Sequence, residues 1–180
     1  MSCIPSTPTV PSILTPSASQ GWVDLGAGII TSALSQYYPL VASVLDIFDV
    51  FTTTNQHGIV RQLEFEETLV SPGTIKKTPI IVALYEGGAS PTTPTSGAVY
   101  NPATAGLIGC FEIAEADYKR TSATVWTAVI NPNRYIRSGS TAATDVNLKA
   151  VVLSNKATSV TYDSGALGRL RATVEQGTAI

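Results

Sequence analysis

The first sixty residues contain no lysine or arginine. They open on a run of proline, serine and threonine, Pro5-Ser6-Thr7-Pro8-Thr9-Val10-Pro11-Ser12. Prolines at 5, 8, 11 and 16 fix their own φ and favour extended or polyproline II backbone. Such a stretch has too little apolar surface to order itself. It would need something else to order against, and a neighbouring subunit is the natural candidate. From residue 59 onward the chain reads as short β segments bounded by turns. Three parts follow: an extended arm at 1–20, a helical or linking segment at 21–58, and a β domain at 59–180. A β body carrying a clamped arm suggests an assembly protein rather than an enzyme.

Within the linking segment, residues 27–38 place Ile29, Ile30, Ala33, Leu34 and Tyr37 at helical spacing. The spacing predicts a helix that ends at Tyr38-Pro39. Residues 41–51 fit either helix or strand. Leu40, Val41, Val44, Leu45 and Phe48 form a second helical face, so helix is the expectation. Asp46 and Asp49 would then lie on its exposed side.

Residues 60–66 alternate, with Leu63 and Phe65 on one face and Gln62, Glu64 and Glu66 on the other. Residues 79–85 are continuously apolar, as in a strand buried on both faces. Residues 107–113, 124–130, 135–136 and 147–153 read as further strands, and 114–118 as a turn or short helical piece. Residues 167–175 alternate again: Leu170, Ala172 and Val174 face in, while Arg169, Arg171 and Glu175 face out. About seven or eight strands separated by turn residues predict a mainly β chain, an antiparallel jelly roll or β-sandwich with an N-terminal arm and one or two short helices.

Composition narrows the function. Charged residues make up 13% of the chain, about half the usual ~25%, and low charge suits surfaces covered by other protein. A net charge of −2 with scattered bases offers no footprint for nucleic acid. Residues 27–51 are apolar, but Pro39, Asp46 and Asp49 interrupt them and no basic flank follows, so no membrane span is expected. The start of the chain lacks the basic and apolar regions of a signal peptide. Cys3 and Cys110 form no metal or disulfide pattern, and Cys110 in Leu107-Ile108-Gly109-Cys110-Phe111 reads as a buried small hydrophobe.

No pattern for chemistry emerges. The single histidine, His57, sits in a Thr/Asn/Gln/Gly stretch and reads as a solvated loop residue. No G-x-S-x-G or phosphate-binding glycine loop occurs, and neither a cofactor nor a metal is expected. Glu64 and Glu66 would lie on one strand face roughly 6.5–7 Å apart, the kind of carboxylate pair that glycoside hydrolysis uses. With no aromatic cluster beside them, they read as an exposed polar sheet face. Trp22 and Trp126 read as core or interface anchors.

One ordered set of segments carries a resemblance. It comprises Ile80-Ile81-Val82-Ala83-Leu84-Tyr85-Glu86, Tyr100-Asn101-Pro102-Ala103, Ile113-Ala114-Glu115-Ala116-Asp117-Tyr118, Trp126-Thr127-Ala128-Val129, Tyr135-Ile136-Arg137 and Asn147-Leu148-Lys149-Ala150-Val151-Val152. In order and spacing it resembles small head proteins of tailed bacteriophages, of the jelly-roll cement or decoration type. The resemblance covers residues 59–175 and carries over no catalytic residue. It implies a homotrimer on the capsid exterior, bound to the major capsid protein and assembled in the bacterial cytoplasm. The arm and the segment after it would then supply the capsid contacts, through Ile4, Val10, Ile13, Leu14, Trp22, Leu25, Ile29, Ile30 and Tyr37. A tail or baseplate β protein is one alternative. A carbohydrate- or receptor-binding β-sandwich is another, and it would need an exposed aromatic platform drawn from Tyr85, Tyr100, Tyr118, Trp126, Tyr135 and Tyr162.

Overall fold

A computed structural model of the chain describes residues 15–16, 22–25, 29–47, 50–51, 57–69, 74–137 and 147–177. They form two antiparallel sheets, with one turn of 3₁₀ helix at Glu115–Asp117. The strands are β1 (Thr15–Pro16), β2 (Val23–Asp24), β3 (Leu45–Ile47), β4 (His57–Thr68), β5 (Ile80–Tyr85), β6 (Leu107–Ile113), β7 (Tyr118–Arg120), β8 (Val125–Ile130), β9 (Arg134–Arg137), β10 (Leu148–Ser154) and β11 (Leu167–Gly177).

The larger sheet runs β1-β11-β4-β8-β7, with β2 also on β11 and β9 also on β4. The smaller runs β3-β10-β5-β6. The pairing is nested. The long strand β4 pairs with the last strand, β11, and β5 pairs with β10. The chain is mainly β, a sandwich of two antiparallel sheets, as the turn-bounded pattern predicts.

The faces follow the sequence. Leu63 and Phe65 of β4 and Leu170, Ala172 and Val174 of β11 point between the sheets, where they meet Ile80, Val82 and Leu84 of β5 and Leu148, Ala150 and Val152 of β10. All are fully buried, and each large side chain of this kind contributes about 1.5–3 kcal/mol. The smaller sheet is also covered on its other side. There Ala83, Tyr85, Val151 and Leu153 pack with Tyr100, and the Tyr85 and Tyr100 hydroxyls share a hydrogen bond of 3.3 Å. The unbroken apolar run at β5 has this origin.

The helix expected at 27–38 does not form among the described residues of that stretch, 29–38. Its backbone N–H groups bond across the chain instead of to the preceding turn. Ile29 donates to Ala166 O (3.1 Å), Leu34 to Val160 O (2.8 Å) and Tyr37 to Ser154 O (2.7 Å). The segment is an extended strap along the sandwich, and Leu40 continues it by donating to Val152 O at 2.9 Å. The helix expected at 41–51 is replaced by β3, where Leu45 and Ile47 are buried and Asp46 is half-buried between them. Phe48 and Asp49 lie outside the described residues. No described helix is long and apolar enough to cross a membrane.

A charge-lined groove on the larger sheet

The outer face of the larger sheet carries polar side chains in register. One row runs Asp24, Arg169, Glu66, Thr127 and Lys119 across β2, β11, β4, β8 and β7. The next runs Arg171, Glu64 and Val129. Opposite charges therefore stand side by side on neighbouring strands, the arrangement that stabilises cross-strand pairs. Glu66 accepts from Arg169 Nε at 2.9 Å and also from its Nη2, while Glu64 accepts from Arg171 Nη2.

Trp22, just before β2, covers this row. The Arg171 guanidinium lies 4.5 Å from its ring centroid and that of Arg169 lies 5.4 Å away, both within cation–π range. Under this cover Glu64 and Glu66 are 8% and 7% exposed. The face was expected to be polar, which it is, but its two glutamates are buried rather than solvated.

Between Trp22 and the 3₁₀ turn the sheet forms a groove of about 630 Å³. Its floor is Glu64, Glu66, Thr127, Val129 and Arg171, and its far wall is Ala116, Asp117, Lys119 and Thr121. That wall is braced internally. Asp117 accepts from the Ala114 N–H at 2.8 Å, and the Lys119 ammonium donates to Ala116 O at 3.1 Å. The Nε–H of Arg171 is buried with no hydrogen-bond partner.

The residues expected to meet a partner separate into four groups. Leu25 and Ile29 are core, 2% and 4% exposed; both pack near Gly168, where a Cβ would stand 3.2 and 3.3 Å from them. Both side chains face the core. Trp22 and Ile30 are half-buried, Trp22 on the groove and Ile30 against the core. Tyr37 is exposed, at the left-handed φ of 65°. Ile4, Val10, Ile13 and Leu14 lie outside the described residues. The groove brings in Glu64, Lys119, Thr127 and Arg171. Strand alternation places Glu64 and Arg171 on an outer face, whereas their pairing depends on a register between strands about a hundred residues apart.

Two further expectations change. His57 opens β4 rather than sitting in a loop; its ring stacks on Tyr135 with centroids 5.6 Å apart and shares a hydrogen bond with the Tyr135 hydroxyl. Cys110 is a free, exposed cysteine, because the alternation of β6 turns Phe111 and Ile113 toward the core and Cys110 and Glu112 outward.

No protein-family model matches this sequence, and no curated protein matches it. Among solved structures, a chain of Desmodium yellow mottle tymovirus aligns over 96% of this chain and 97% of its own, at 16% identity and a TM-score of 0.27. A score that low does not establish a shared fold.

Proposed function

We propose that this chain is a virion structural protein, a cement or decoration protein of the tailed-phage type that binds the major capsid protein on the capsid exterior as a homotrimer. Its role is to hold capsomers together, without catalysis. The observation that carries the reading is how the N-terminal part is used. Two-residue clips, β1 at Thr15–Pro16 and β2 at Val23–Asp24, tie it to the edge of β11, and the strap at 29–40 ties it to the opposite sheet. A rigid body thus anchors the base of an arm whose composition calls for a partner. The low charge of the chain supports the same reading.

The aromatic platform that a carbohydrate-binding sandwich would need is absent from the six candidates. Tyr85, Tyr100, Tyr118 and Tyr162 are buried, Trp126 is half-buried under the Lys77 ammonium, and Tyr135 alone is exposed.

The test is light scattering and co-sedimentation with capsids, comparing the full chain with a chain that starts at Gly21. The expected result is a trimer in both cases, with only the full chain sedimenting with capsids. A monomer that ignores capsids in both forms overturns the proposal. Stacked six-fold rings would make it a tail protein.

A further inference from the structure

We propose that the groove on the larger sheet is a binding site for a neutral saccharide. This inference does not depend on the virion reading. The groove, at about 630 Å³, falls within the range of about 300–1,000 Å³ common for small-molecule sites. Its charges are mixed rather than of one sign: Glu64, Glu66 and Asp117 stand with Arg171 and Lys119, and Glu64 and Glu66 are ion-paired to Arg171 and to the neighbouring Arg169. A phosphate-bearing ligand would need surplus positive charge there, and a basic peptide surplus negative charge. A purely apolar ligand would desolvate the ion pairs with nothing in return.

A polyol meets none of these objections. Carboxylates already paired with guanidinium keep lone pairs that accept hydroxyl protons, and such charge-assisted bonds are the stronger kind. The Arg171 side chain lines the groove and is 26% exposed, so guanidinium protons not given to Glu64 can donate to a ligand hydroxyl oxygen. Thr121 and Thr127 add hydroxyls 3.4 Å apart. The apolar C–H face of a sugar ring finds Trp22 and the 39%-exposed Val129. A single aromatic surface beside planar polar groups replaces the broad platform that the buried tyrosines rule out.

The experiment is saturation-transfer NMR on the full-length protein with methyl glycosides of neutral hexoses and N-acetylhexosamines. At least one glycoside should receive saturation, and its affinity should fall about tenfold in Thr127→Val and further in Trp22→Ala. Tyr135→Ala, on the same sheet but away from the groove, should bind unchanged. Thermal melts confirm that each variant folds, and Thr127→Val, which removes no ion pair, keeps the test valid if Trp22→Ala does not fold. No saturation of any glycoside overturns the proposal. So does binding that survives Thr127→Val and Trp22→Ala undiminished. Burial of Trp22 fluorescence that grows with protein concentration would make a second copy the occupant and also overturn it.

Discussion

Arg169 on β11 and Glu66 on β4 stand opposite each other in register, and their side chains meet in a two-pronged ion pair beneath the Trp22 ring. The glutamate side chain is 9% exposed and the arginine 39%. The pair is therefore asymmetric: removing the arginine leaves a nearly buried carboxylate without its partner, while removing the glutamate leaves a guanidinium that still reaches water. Arg169→Ala should cost about 2–3 kcal/mol and Glu66→Ala about 1–2 kcal/mol, between the values for buried and exposed pairs. Urea unfolding of both single variants and the double variant measures this, and the double should cost less than the sum of the singles.

The Tyr118 hydroxyl donates to the carbonyl oxygen of Thr78 at 2.9 Å inside the core, while its ring meets Phe65 edge-on at 6.3 Å. Phenylalanine would keep the ring contact and strand the carbonyl. Tyr118→Phe should lower stability by about 1–2 kcal/mol with little change in the fold, read by chemical denaturation beside near-ultraviolet circular dichroism. A neutral result would mean that the Thr78 carbonyl finds another donor.

Cys110 is exposed on β6, yet partial burial raises its thiol above the ordinary value. The thiolate is the reactive form. In a Cys3→Ser background, alkylation at neutral pH should be slower than for free cysteine and should accelerate as the pH rises. Labelling as fast as the free amino acid would show that the thiol is fully hydrated.

The two long strands were legible because the period of two is local. Leu63, Phe65, Leu170, Ala172 and Val174 face the core as their alternation predicts, and the apolar run at β5 is covered on both sides. The strap was illegible for a related reason. Ile29, Ala33, Leu34 and Tyr37 satisfy helical spacing, but Ala33 and Tyr37 are exposed while Ile29 and Leu34 are buried. Tertiary hydrogen bonds to residues more than a hundred positions away outweighed a weak local preference. The groove shares that origin. The outward residues of β4 and β11 were visible, but the register that pairs Glu64 with Arg171, and the return of Trp22 over both arginines, exist only in the folded chain.

Glu67, one residue beyond that outer row, points inward and is 1% exposed. Its carboxylate accepts the backbone N–H groups of Lys76 and Lys77 at 2.6 and 3.0 Å, which ties residues 76 and 77 to the end of the sandwich. Burial pushes its acid value above the ordinary 4.5, and the two N–H groups and lysine charges only partly oppose this. The unfolded chain therefore ionises this group first. Its contribution to stability is full below pH 4.5 and is lost as the pH rises through the higher folded value. Asp163 acts in the opposite sense. The Thr74 N–H donates to it at 2.8 Å and holds its carboxyl below the usual range, so its contribution is lost on acidification. Comparing wild type with Glu67→Gln isolates the first effect, because the Asp163 contribution cancels in the difference. The variant should gain stability relative to wild type as the pH rises from about 4 to 7, measured by urea unfolding across that range. A difference that stays flat would place Glu67 in water, and one that falls would mean that the N–H groups of Lys76 and Lys77 outweigh burial.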